Sequence, residues 1–456
     1  MSDDGLRHIA FAAHSDVMKS WGDVFPHSLF MKDYDPWFIW HEILRVYLHF
    51  FSYSSLHVAI NTSSLFLLMI LLDALLTKYS KLEFGTLGII IILSITLLAS
   101  SRYVNVRPDL LSGIYLMAAL LLTKRWVLLF LLTLLYSPSY YLFFLYTGSM
   151  GLVYLTLKEH KAFFAVFIAS SIGLFFHLYT GGDNFIKTII YVLTDQSLRM
   201  GLEVNEGIAL FDFLKIFNYY VLVLLFAIVI SFIVYKNYEY FKKQPLALLL
   251  LITSILWITQ VRYYFLLLPL MILYFVIEIK PIISNVFSRK IIYYIYKVSH
   301  ILKLASRQGT FYVIAISYTS FMLGYSMRND SSYKNLENKE FYKNKMFNNK
   351  TVLLSGMTSD IYYGLYQNPS IKFVPSCAIG WFEDNKKIKD IYIRMMKKDG
   401  INELELKELL DYVGADYYIH MFGANKQILS LDELKNIGLT PLSIIDNKML
   451  FKYNTK

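Results

Sequence analysis

From residue 57 the chain runs as long apolar stretches separated by short polar breaks, and its two ends depart from that pattern. The apolar runs fall near 57–77, 86–100, 108–123, 126–136, 140–157, 162–179, 215–234, 245–259, 262–278 and 311–327. Most have the length a helix needs to cross a bilayer, roughly 15–22 residues. The two runs between 126 and 157 meet at Ser137-Pro138-Ser139, and the first is short, so a tight hairpin and a re-entrant element both fit. Nothing recurs with a period of roughly 20–50 residues, which excludes a solenoid.

Residues 1–56 are polar to about 35 and then aromatic and amphipathic through WFIWHEILRVYLHFF. His41, Arg45 and His49 recur at i, i+4 and i+8, on one helical face. An interfacial helix with that face toward headgroups accounts for them, and a substrate contact through His41 is the alternative. Residues 328–350 are charged and nearly free of aliphatic side chains, which predicts a linker. Soluble patterning returns over 351–456. TVLLS (351–355), IKFVPS (371–376) and ADYYIHM (415–421) predict strands. DIYIRMMKK, ELELKELLDYV and LDELKNIG predict amphipathic helices, and LSIIDNKMLFKYN a hairpin turning at Asp446-Asn447. A domain of about a hundred residues is large enough to hold its own core.

Charge gives these spans a direction. Lys78 and Lys81, Lys124 and Arg125, Lys158 and Lys161, Lys236, Lys242 and Lys243, and the basic residues of 280–307 all fall on one side. The positive-inside tendency makes that side cytoplasmic. The opposite side then holds 1–56, 101–107, 180–214, 260–261 and everything after 328. An outside N-terminus with no hydrophobic signal at residues 1–20 leads us to expect a further helix upstream of Met1.

Composition agrees. The 456 residues are 56% hydrophobic and 17% charged, against about half and a quarter in a soluble protein. The net charge of +10 therefore belongs to cytoplasmic loops rather than to nucleic-acid binding. Cys377 is the single cysteine, so neither an intrachain disulfide nor a cysteine metal cluster is possible. The fold expected is mainly α: a polytopic transmembrane helical bundle in the plasma (inner) membrane, with loop 1–56 and a small C-terminal α/β domain, 351–456, outside the cytoplasm.

Candidate chemistry is sparse. The chain has no Walker A loop, GxGxxG, HExxH or GxSxG, and Thr180-Gly181-Gly182-Asp183 reads as a helix-end turn. What stands out is Asp3-Asp4, followed by Arg7 and His8 in SDDGLRHIAFA. By itself the pair is a helix N-cap, acid being favoured at the positive end of the helix dipole. Within spans, Asp73 reads as a structural partner of lysine, Asn61 as an interhelical hydrogen bonder, and His177 as a residue near the outer end. Asp109 follows Pro108 at a helix start.

Four stretches together resemble the GT-C superfamily of polyprenyl-phosphate-sugar-dependent glycosyltransferases, the group of protein O-mannosyltransferases and aminoarabinose transferases. SDDGLRHIAFA looks like the acidic motif that opens their first extracytoplasmic loop. YDPWFIWHEILRVYLHFF is similar to their Pro-aromatic juxtamembrane stretch, VRPDLLSGIYLM (106–117) to an Arg-Pro-acid helix start, and QVRYYFLLLP (260–269) to a late Arg-Tyr helix. The chain departs from the family in having Asp-Asp with Gly-Leu before Arg7, and Asp35-Pro36 for Pro-Pro. The resemblance implies sugar transfer from a polyprenyl-phosphate donor to a glycan, lipid or protein acceptor. Asp3 or Asp4 would be the general base, and Arg7, His8, His41, Arg102, Arg107, Arg262 and Tyr263 would contact substrate. It also implies that acidic residues of 180–214 (Asp195, Glu203, Glu206) could hold a divalent cation, Mg or Mn, as in some members. A Wzy-type polymerase or O-antigen ligase is the rival enzyme, and a glycolipid transporter or flippase the rival outside enzymes.

Overall fold

The structure, a computed structural model, describes residues 3–16, 18–27, 34–79, 108–194, 245–250, 341–355, 360–374, 385–397, 400–421, 429–445 and 448–454, and singly 252, 270 and 317. Helix accounts for 69% of them and a small sheet for most of the remaining regular structure, so the chain is mainly helical. It divides into two compact units. One gathers the described parts of Met1–Pro36, His177–Gly207 and Ser332–Lys456, the other those of Trp37–Phe176 and Ile208–Ser331.

The second unit is a set of apolar helices: α2 (Phe38–Leu48), α3 (Tyr53–Tyr79), α4 (Asp109–Leu121), α5 (Trp126–Tyr136), α6 (Phe143–Thr156) and the first half of α7 (His160–Thr194). α3 to α6 and the first part of α7 coincide with the apolar runs expected at 57–77, 108–123, 126–136, 140–157 and 162–179, each a near-unbroken apolar stretch between polar breaks, while the runs at 86–100, 215–234, 245–259, 262–278 and 311–327 lie wholly or mostly outside the described residues. α4 is the hub, packing against α3, α5 and α6. Tyr115 stacks on Tyr136 with ring centroids 4.3 Å apart. Its buried polar tips are paired: Ser112 Oγ with Tyr136 Oη at 2.7 Å, and Tyr154 Oη donating to the Ala119 carbonyl at 2.7 Å. The break at Ser137-Pro138-Ser139 is a single 3-10 turn between α5 and α6.

The first unit holds a five-stranded sheet in the order β2-β1-β3-β5-β4. Its elements are β1 (Thr351–Leu354), α8 (Asp360–Gln367), β2 (Lys372–Phe373), α9 (Lys386–Lys397), α10 (Glu403–Val413), β3 (Tyr417–Met421), α11 (Leu431–Asn436), β4 (Leu439–Ile445) and β5 (Lys448–Tyr453). β2, β1 and β3 run parallel, and β5 and β4 complete the sheet antiparallel. The expected strands and helices are all present, and the hairpin pairs Ile445 with Lys448 across the predicted turn. Leu353, Ile391, Leu409, Tyr418, Leu434 and Phe451 meet in one core.

Two expectations are corrected and a third is met. α8 lies where no helix was expected. The last ten residues of the supposed linker, 341–350, form two 3-10 turns that bury Tyr342 and Phe347, and Phe347 packs on Tyr417 of β3; two aromatics outweigh the surrounding charge. The helix end expected at 180–183 is present, with Gly182 at a φ of +49° that suits glycine, and a second helical stretch then runs on to Thr194. Beside it Gly181 leaves room for the Tyr34 ring, where a Cβ would come within 2.7 Å.

Candidate functional site

The acid pair begins a helix, α1 (Asp3–Ala13). The i, i+4 spacing puts position 3 on one face with 7, and position 4 with 8. One turn along, Arg7 is 6% exposed and His8 1%. An arginine only donates, so the 3.4 Å contact between Arg7 Nη2 and His8 Nε2 makes that ring nitrogen the acceptor. A hydrogen-bonded imidazole oriented by a guanidinium is thus built in beside the carboxylate positions. Ile9, Ala10, Phe11 and Ala12 are each nearly or fully buried, so over 7–12 the helix has no open face.

What surrounds α1 is the C-terminal part of the chain. α1 packs on α8. His14 Nε2 lies 2.6 Å from the Tyr366 carbonyl, and the two rings are in tilted contact. Further along, the Phe373 amide of β2 donates to the Val24 carbonyl at 2.9 Å. His27 Nε2 lies 3.0 Å from the Val413 carbonyl at the end of α10. Within the same unit, buried His177 stacks on Phe185 across the break in α7, with Tyr34 edge-on to both.

Not all the expected site residues come together. Asp3, Asp4, Arg7 and His8 share α1. His41 belongs to the helical unit, buried beside Trp37 rather than on an open basic face, while Arg45 pairs with Glu42 at 2.6 Å and His49 is exposed. Burial by aromatic neighbours overrides the helical periodicity there. Arg102, Arg107, Arg262 and Tyr263 lie outside the described residues, as do Asp195, Glu203 and Glu206. Among the described residues no three His, Cys, Asp or Glu side chains assemble as a cation cage. His14 and His27 were not singled out by sequence, because their partners lie 352 and 386 positions away.

Neither known protein-family models nor curated proteins match the chain. The resemblance therefore rests on its four motifs.

Proposed function

We propose that the chain is a multi-pass membrane glycosyltransferase that moves a sugar from a polyprenyl-phosphate carrier to an extracytoplasmic glycan, lipid or protein, with Asp3 or Asp4 as general base. The observation that carries the reading is α1, in which the motif resembling the family's acidic loop is a helix with buried Arg7 and His8 one turn beyond the acid pair. Transfer with inversion at the anomeric carbon needs a carboxylate to accept the proton of the attacking hydroxyl or amine. It also needs a cation to meet the departing phosphate. Guanidinium donors suit that phosphate, and Arg107 and Arg262 are the proposed contacts.

The helical unit supports the membrane part of the reading. Two described helices, Val58–Tyr79 and His160–Ile190, are long and apolar enough to cross a bilayer, and only 39% and 33% of their most apolar windows is buried within the protein. A soluble core helix would bury most of that surface. Hydroxyls on these two helices and on α5 and α6 bond back to their own backbone: Thr62 to Val58, Ser171 to Phe167, Thr133 to Leu129 and Ser149 to Leu145. That is the arrangement a solvent without hydrogen bonds favours. The charge pattern adds partial support: of the segments assigned to the outer side, the described parts of 1–36, 180–207 and 332–456 fall in one compact unit, while 37–56 falls in the other.

The test is sugar transfer by the full-length protein in membranes supplied with polyprenyl-phosphate sugars. Replacing the base, through Asp3→Asn or Asp4→Asn, should lower kcat by roughly 10²–10⁴-fold. Unchanged transfer in both variants would refute the assignment.

A further inference from the structure

We infer that the C-terminal α/β domain is the scaffold of the catalytic helix, and that His14 is a positioning residue fastening α1 to it. The inference rests on the proposed general-base role of the acid pair. A helix of eleven residues is marginal by itself in water, so α1 owes its geometry to what it packs against. That support is the crossover helix α8 between the parallel strands β1 and β2. Three hydrogen bonds fix the register between residues near the two ends of the chain: His14 to the Tyr366 carbonyl, Phe373 N–H to the Val24 carbonyl, and His27 to the Val413 carbonyl.

Each of these bonds uses a backbone group of an element belonging to the sheet domain or flanking it. The first sits at the C-terminal end of α8, the second on the edge strand β2 and the third at the end of α10. The N-terminal segment therefore follows three separate elements of the domain instead of touching one point. His14 stands one residue beyond the end of α1, where its imidazole both donates to Tyr366 and packs on that ring. Loss of this anchor would let the helix bearing Asp3 and Asp4 shift, and a displacement of about 1 Å costs roughly 10²-fold in rate. The domain is on this account part of the reacting centre rather than an appended acceptor module.

The experiment compares His14→Leu, which removes the donor, with His14→Gln, which retains an N–H at similar reach, in the full-length protein in membranes. Two quantities are read: kcat and KM for the polyprenyl-phosphate sugar, and amide exchange across 3–13. His14→Leu should lower kcat by roughly 10–100-fold with KM changed less than about 2-fold. It should also speed exchange in α1 at least about 10-fold while β3 and β5 stay protected, and His14→Gln should recover most of both. If His14→Leu does not accumulate, His27→Leu carries the same comparison. Wild-type kcat and wild-type exchange across 3–13 would overturn the positioning role while leaving the base reading standing. Undiminished transfer by both Asp3→Asn and Asp4→Asn would overturn both.

Discussion

The two units of this chain are built by the same backbone rules, yet they begin their helices differently. In the sheet-containing unit, α10 and α11 each open with a complete capping box, Asn402 with Glu405 and Ser430 with Glu433. In the helical unit, α2, α4, α5 and α6 start behind Trp37, Pro108, Arg125 and Leu142, none of which offers a side-chain cap. Surfaces differ in the same sense. α5 presents Trp126, Val127, Leu128, Leu131 and Leu135 outward, whereas α10 sends Glu405 to Arg394 and Glu408 to Lys387. Capping boxes and ion pairs organise helix ends and faces against water, and inward-bonded hydroxyls with outward leucines organise them against an apolar solvent. The contrast is the one that the proposed membrane reading of the helical unit requires.

The largest effect that would break this comparison comes from putting a charge on an exposed leucine in each unit. Leu131 is 48% exposed on α5 and Leu404 77% exposed on α10. Leu131→Arg should cost about 3 kcal/mol of insertion and deplete the protein from membranes. Leu404→Lys should change stability by less than about 0.5 kcal/mol. Quantifying membrane-integrated protein for both checks this, and equal tolerance would show that the helical unit faces water.

A smaller contrast concerns the hydroxyls and amides themselves. Asn402→Ala removes a capping box and should destabilise the sheet domain by about 1 kcal/mol. Ser149→Ala, which removes only a bond to the Leu145 carbonyl on its own helix, should stay within about 0.5 kcal/mol. Denaturation of the two purified variants separates these outcomes.

The smallest effect is a pH dependence confined to one unit. His420 on β3 is buried, with Nδ1 3.1 Å from Tyr418 Oη, and burial holds its pKa below the ordinary histidine value of 6.5. The folded state thus resists protonation that the unfolded chain accepts. The stability gained from a neutral imidazole is present above about pH 6.5 and is lost as pH falls below it toward the folded value. Amide exchange across β3 and β5 should therefore accelerate as pH falls below about 6.5. His420→Phe should flatten that slope, and an unchanged slope would remove His420 as its source.

The helices α3 to α6, the first part of α7 and the elements of the sheet could be read in advance because each is specified locally, by an apolar run or a period of about two or 3.6 residues. α8 was not, for DIYYGLYQ makes only about two turns, carries three tyrosines and Gly364, which favour other structure, and is held by contacts with α1 and with Tyr342 and Phe373 around Gly364. The candidate site divides the same way. The acid pair, Arg7 and His8 were legible because they are neighbours in sequence, while the burial of His41, on one helical face with half-buried Arg45 and exposed His49, was not.

By itself the sequence determined that this chain is mostly apolar helix with an α/β tail, and that its one acidic motif stands at the beginning. Those properties are sums over short windows, where spacing and hydrophobicity suffice. Only the tertiary structure decided that the motif opens a helix buried over residues 7–12 and seated on the tail's own crossover helix, with His14 and His27 fastened to carbonyls 352 and 386 residues away. Backbone carbonyls carry no sequence signature, so bonds of that range become visible only once the fold has brought their partners together.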